Sequence, residues 1–350
     1  MHRICGSLAK NGYEVALVGR MKRSSAPLQK ELYLQQRIRC LFSKGKFFYF
    51  EYNLRLFLFL FFKKIDIICA IDLDTILPCL IISKVKKIPR VYDAHELFTE
   101  LKEVIRRPRI KRFWTGIEKY AVPQFKHGYT VSERIAIEFK KRYTVNYETI
   151  RNVPFLKKLE PGSSKRQAEK FILYQGAVNE GRGLEYLIPA MMMIDCKLVI
   201  CGDGNFMDQL KQLINMHKLD YKIKLKGMLS PDDLWEVSQQ AFMGVAVPEG
   251  EGLNQYYALP NKFFDYIHEC LPQVTVNYPE YRKLNEQYKV AVLINDLDPR
   301  TIASAINSLL NDTGKYNMLK MNCTRAREEL NWENEQNKLL SFYYRMQFPD

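Results

Sequence analysis

The sequence predicts an α/β protein made of two consecutive doubly wound domains, each built on a parallel sheet. Three observations carry that expectation. Short β-branched runs alternate with helical segments along the whole chain, the pattern of parallel strands joined by crossovers. One polar, Pro- and Gly-bearing stretch over 159–167 divides two such series. The length, 350 residues with 47% apolar, suffices for two cores of ordinary size.

The chain opens in a helix over 2–10, and strands are expected at 14–18, 65–70, 90–93, 128–131 and 147–151, with helices between them that include 76–85 and 133–143. A domain of this kind ordinarily opens in a buried strand. The first strand of the front domain is therefore expected to be missing, with Met1 an internal start. The second series has strands at 171–175, 197–201, 222–226, 244–247, 273–276 and 291–294. Ligands of doubly wound folds sit beyond the carboxyl ends of the strands, so an interdomain cleft lined by those ends is the expected place for chemistry.

Eight cysteines show no CxxC pair and no Cys/His cluster of zinc spacing, and read as reduced core thiols. No apolar leader with a cleavage site is expected, which favours a cytoplasmic location. The most lipid-like run, 56–62, is bounded by Arg55 and by Lys63 and Lys64, far short of the ~20 residues that span a bilayer. Of the net charge of +14, residues 1–160 carry +17 and the remainder −3. That basic front half suits an anionic membrane surface or a polyanionic substrate. No nucleic-acid reading motif accompanies it, so nucleic acid is not an expected partner.

The strongest local signal is the stretch 174–185, a strand running into a loop with Gly176, Gly181 and Gly183 that opens a helix at Leu184. Glycines let the backbone approach a ligand closely, and a helix start offers free N–H groups to an anion. Arg182 at this helix start is electrostatically misplaced unless an anion lies beside it. The stretch 258–266 repeats the theme: Pro260 suits a first turn, Lys262 is another cation at a helix start, and Asn261 and Asp265 fall one turn apart on one face. A diphosphate shared by Arg182 and Lys262 explains both, with Asp265 accepting from ribose hydroxyls. Glu249 or Glu251, on an acidic loop after another strand, could meet sugar hydroxyls, whereas the glycines at 202 and 204 read as a tight turn. In the front half, Asp93, His95 and Glu96 crowd the end of a strand and suggest a reacting centre. Asp72 and Asp74 lack the partners of a metal site and read as a helix cap.

Together these residues resemble the family 4 retaining glycosyltransferases of the GT-B fold, in particular a bacterial subgroup with a DxHE motif, here Asp93–Glu96, and a PNKxF[ED]Y motif, here Pro260–Tyr266. The resemblance also takes in 11–20, 150–154, the glycine loop and 331–334, the last being similar to the point where a terminal helix crosses back to the front domain. It implies domains over 1–160 and 161–330, with 331–350 returning to the first. It implies His95 near the transferred sugar, Arg182 and Lys262 on the donor diphosphate and Asp265 on the ribose. The residue pattern itself adds Gly176, Gly183, Glu249 and Asn261 as donor-binding candidates, and Asp93 and Glu96 on the acceptor side or at the reacting centre. The implied reaction is hexosyl transfer from a nucleotide-diphosphate sugar to a glycan or lipid-linked acceptor in surface polysaccharide synthesis, with no metal or other cofactor. The acceptor is expected on the front domain, whose basic balance and aromatic stretch over 47–62 suit peripheral contact with an anionic membrane. Two other readings share the same diphosphate site: a GT-B sugar-nucleotide epimerase and a catalytically silent binding protein. The chain departs from the common pattern at Ala177, where an arginine is usual, at Tyr257, where the first glutamate of a Glu-x7-Glu pair is usual, and at Cys270, where a glycine is usual.

Overall fold

The computed structural model describes residues 1–22, 25, 27–158 and 170–347; the expected linker over 159–167 lies outside them. The chain divides into two compact units, one of Met1–Arg151 together with the segment from Trp332, the other Asn152–Asn331.

The second unit holds a six-stranded, all-parallel sheet of β7 (Phe171–Gln175), β8 (Lys197–Cys201), β9 (Ile223–Gly227), β10 (Met243–Ala246), β11 (Gln273–Val276) and β12 (Ala291–Ile294) in the order β12-β11-β10-β7-β8-β9. Counted from β7 this is the 3-2-1-4-5-6 order of a Rossmann-type sheet, and its switch point lies between β7 and β10. β7, β10 and β11 are buried along their whole length; β7 and β10 read as largely apolar runs, whereas β11 alternates, its buried Gln273 and Thr275 donating to the Phe263 and Ala246 carbonyls.

The first unit contains two sheets. β3 (Ile68–Ile71), β4 (Arg90–Ala94), β5 (His127–Thr130) and β6 (Glu148–Thr149) form a parallel four-stranded sheet in chain order, whereas β1 (Ala16–Met21) pairs in parallel only with β2 (Leu34–Arg39). β1 runs three residues further than the expected 14–18, and β2 carries no sequence signal at all: Leu-Gln-Gln-Arg-Ile-Arg is a polar edge strand with partly exposed faces. Helices precede and connect these strands, among them α1 (His2–Lys10), α2 (Gly45–Phe61) and α3 (Ile76–Lys86).

The final helix, Trp332–Gln347, completes the first unit. The Trp332 indole N–H donates to Ser7 Oγ at 2.9 Å, Ser7 Oγ donates to Gln336 at 2.6 Å, and the Arg151 amide donates to Glu335 at 2.9 Å. Trp332 is fully buried there, and Tyr129 packs edge-on against Phe342 with ring centroids 5.3 Å apart. An aromatic side chain of this size with its N–H satisfied contributes on the order of 3 kcal/mol to burial.

Candidate functional site

In the second unit the loop that follows β7 and the loop that follows β10 meet at the switch point. Gly183, the N-cap of the helix Leu184–Ala190, has φ +79°, and a Cβ there would lie 1.8 Å from the Val247 carbonyl oxygen. Only glycine fits that approach. The Glu249 amide donates to the Gly181 carbonyl at 3.1 Å, and the Gly181 amide donates to Glu185 at 3.1 Å, which fixes the end of the loop that carries Arg182. The start of the loop rests on the turn after β8: the Gly176 amide donates to Cys201 O at 2.9 Å and the Val178 amide to Asp203 O at 3.0 Å. Gly202 and Gly204 thus serve as the tight turn read from the sequence.

The third part is the helix Asn261–His268, whose N-cap is Pro260. Lys262 on its first turn reaches the loop: its Cε lies 3.4 Å from where a Cβ of Gly176 would sit, and its Nζ is 3.7 Å above the Tyr174 ring. Burial, and after it the charge of Arg182, push the Lys262 ammonium down to about 7, with Asp265 acting in the opposite sense. Arg182 and Lys262 are therefore close enough to repel one another. Among the described residues neither forms an ion pair. Asp265 Oδ2 accepts from Gln175 Nε2 at 3.0 Å, and one turn on, burial first and Asp265 second hold Glu269 well above the usual carboxylate range.

Gly176, Gly183, Arg182, Glu249, Lys262 and Asp265 are thus brought to the carboxyl ends of β7 and β10. Asn261, on the first turn of the same helix, is exposed, and its Oδ1 accepts from Asn152 Nδ2 at 3.0 Å. Tyr174 was missed by sequence reasoning. It sits in a continuous apolar strand, and nothing in that run marks the ring as the seat of a cation.

In the first unit the carboxyl ends of β3 and β4 build a second cluster. Asp93 is buried, its Oδ1 lies 3.2 Å from His95 Nε2, and its Oδ2 finds no partner. Asp72 joins them. It is not the side-chain cap read from the sequence, since its carboxylate caps no helix amide; it accepts the His95 backbone N–H at 2.9 Å, while its own N–H donates to Asp93 O at 3.0 Å. Its φ of 53° is a left-handed conformation that costs a non-glycine residue about 1–2 kcal/mol, so the two clasps hold a strained backbone. Burial disfavours a charged His95, but the Asp93 carboxylate, by charge and hydrogen bond, and then Asp72 outweigh it and raise the imidazole above its ordinary range. Burial likewise raises Asp72, opposed by His95 and reinforced by Glu96 and Asp93. Asp72→Asn keeps an oxygen for the His95 amide but removes the charge. Imidazole NMR of the variant should show His95 titrating lower than in the parent, by roughly one pH unit; an unchanged titration would remove Asp72 from the electrostatics of this cluster.

Among the described residues no group of three His, Cys, Asp or Glu side chains could hold a metal ion, and no helix is long and apolar enough to cross a membrane.

Two Rossmann-like units, the second with a glycine loop and paired cations at its switch point, have the fold of the GT-B glycosyltransferases. The chain belongs to that superfamily: residues 157–326 match the family described as glycosyl transferases group 1, and residues 1–154 match glycosyltransferase family 4. The alpha-D-kanosaminyltransferase of Streptomyces kanamyceticus is 22% identical over 220 residues, which is 56% of this chain and 54% of that protein. The match spans about half the length of the curated relatives. Among solved structures, the sucrose-phosphate synthase of Thermosynechococcus elongatus superposes with a TM-score of 0.78 at 15% identity, covering 99% of this chain and 92% of that one. The Anabaena HepE protein, solved with UDP and glucose, gives 0.71 at 15% identity, covering 89% and 86%. At such identities the likeness is one of fold.

Proposed function

We propose that this protein transfers a hexosyl group, with retention of configuration, from a nucleoside-diphosphate sugar to a glycan or lipid-linked acceptor, in the assembly of a bacterial surface polysaccharide. The observation that carries the donor half is the pair Arg182 and Lys262: two cations at one loop, mutually repelling, with Asp265 only partly offsetting their charge and, among the described residues, no ion pair to either. A diphosphate supplies the missing charge. The HepE structure with UDP, on the same fold, supports a nucleotide as its bearer.

In this reading the loop amides and the two cations hold the diphosphate, and Asp265 and Glu249 take hydroxyls of the ribose and the sugar. As the glycosidic bond to phosphate breaks, negative charge grows on the leaving diphosphate, and fixed cations in a poorly hydrated pocket stabilise that charge more than they stabilise the ground state. His95, held protonated by Asp93, offers an N–H donor to the sugar or acceptor. Retention and the class of acceptor rest on the family resemblance.

A thermal-shift screen against nucleoside diphosphates and their sugars tests the donor half. A ligand present at about 100 times its dissociation constant adds about 2.7 kcal/mol to the stability of the unit that binds it. At least one nucleoside-diphosphate sugar should raise the melting temperature of the parent and leave Arg182→Ala unmoved. If no nucleotide shifts the parent, the donor reading fails; the anomer of the product, read by NMR, then decides retention.

A further inference from the structure

Outside the sites above, the largest unexplained feature is the outer face of α2. This helix is apolar all round, as fully buried helices are, yet only one side is covered. Phe48, Tyr52, Leu56 and Leu60, four residues apart, face the unit's interior. Phe47, Phe50, Leu54, Leu58 and Phe61, at spacings of three and four, form a straight stripe on the opposite side, with Phe47 57% and Phe50 70% exposed. Phe62, 80% exposed, extends it past the helix end. The loop ahead of α2 adds Leu41 and Phe42. It is pinned rather than loose: the Leu41 and Phe42 amides donate to the Glu51 carboxylate at 2.8–2.9 Å, and the Phe42 and Phe47 rings lie 5.4 Å apart.

The charges around the stripe have one sign. Lys44, Lys46, Arg55, Lys63 and Lys64 surround it, and the one acid of residues 41–65, Glu51, is already occupied by those two amides and by Arg55 at 2.8 Å. On the neighbouring α3, Ile81 and Val85 are also exposed, and Lys86 Nζ donates to Lys63 O at 2.8 Å, which joins the two helix ends. An isolated soluble surface rarely carries so contiguous an apolar patch.

We infer that the α2 stripe with its cationic rim is a docking face for an anionic lipid bilayer, with the helix lying in the plane of the interface. An amphipathic contact of this kind combines apolar side chains at the acyl boundary with lysines at acidic headgroups. At 17 residues, α2 is about 26 Å long and carries Arg55 and Glu51 within it, so it lies on the bilayer rather than through it. A second copy of the chain is a poorer occupant, because pairing α2 with itself sets lysine rim against lysine rim. This surface is independent of the transfer chemistry, so it stands or falls separately from the donor reading.

The test is co-sedimentation of the full chain with vesicles of phosphatidylcholine alone and with phosphatidylglycerol added. Binding should be at least tenfold stronger to the anionic vesicles. Lys63→Ser with Lys64→Ser should lower it by about fivefold per lysine, and Leu54→Glu with Leu58→Glu should abolish it. Both pairs lie on exposed positions, and circular dichroism melts matching the parent show that the fold is retained. The fluorescence emission of Phe50→Trp should shift to the blue, relative to the parent, when anionic vesicles are added. Equal binding to neutral and anionic vesicles, no binding to either, or a dimer in solution that Leu54→Glu with Leu58→Glu dissolves would each overturn the inference.

Discussion

Lys262→Ala is expected to lower turnover by about 10²–10³ while leaving the fold intact, the usual effect of deleting one preorganised donor to a developing negative charge. The fold should survive because, among the described residues, the side chain forms no ion pair, and its burial and the nearby Arg182 disfavour the charged ammonium. The same residue makes donor binding depend on pH in a definite sense. Its ammonium is held down from 10.5 to about 7 by burial first and by Arg182 second. Between those values the unfolded chain binds a proton that the folded chain does not, so this lysine makes stability rise as pH increases through that window. A bound diphosphate restores the charge, and binding then takes up a proton. Donor affinity should be flat below about pH 7 and should fall as pH rises above it, approaching tenfold per pH unit. Lys262→Arg, charged throughout, should remove that slope. Calorimetric titration with a nucleoside diphosphate in buffers of different ionisation enthalpy measures the proton uptake directly; equal heats in all buffers, with an affinity indifferent to pH, would dissociate Lys262 from the phosphate.

Gly183→Ala is expected to destabilise the second unit by about 2–5 kcal/mol, a large share of the 5–15 kcal/mol that holds a typical domain. Two costs combine. A φ of +79° is left-handed, worth about 1–2 kcal/mol against an alanine, and the new Cβ would meet the Val247 carbonyl oxygen at 1.8 Å and its carbon at 2.8 Å. Those are backbone atoms at the end of a buried strand and cannot rotate away, so the loop must shift, at about 1–3 kcal/mol for overpacking. Urea denaturation followed by circular dichroism measures the loss. Gly116→Ala provides the control. Gly116 lies inside the helix Pro108–Ala121, a Cβ there meets nothing within 4 Å, and alanine should gain about 0.5–1 kcal/mol. A Gly183→Ala variant as stable as the parent would show that the loop is not held against β10 as described.

Much of this was legible because the second unit obeys one simple rule. Strands buried on both faces and separated by amphipathic helices leave apolar runs that can be read directly, so β7, β8, β11 and β12 fall where the sequence puts them. The glycine loop and the PNK helix start were legible for a different reason. A cation at a helix start conflicts with the helix dipole, and a conflict of that kind points to a ligand. Reading failed where the signal was shared by two structures. An Asp-x-Asp ahead of a helix looks the same whether the first carboxylate caps that helix or, as Asp72 does, turns back to the neighbouring strand end. It failed again at β2, whose polar residues suit an edge. The seating of Lys262 on Tyr174 depends on two elements almost ninety residues apart in the chain, a distance that no local pattern encodes.

The clasp between Ser7 and Trp332 has a consequence for how the protein is made. The first unit needs Trp332 and the helix that follows, which leave the ribosome only after every strand of the second unit has emerged. Synthesis from the N-terminus therefore delivers the later-encoded unit complete first, and the nascent front segment waits for its closing helix with apolar surface uncovered. Over that interval chaperone capture and proteolytic nicking should concentrate on the front segment.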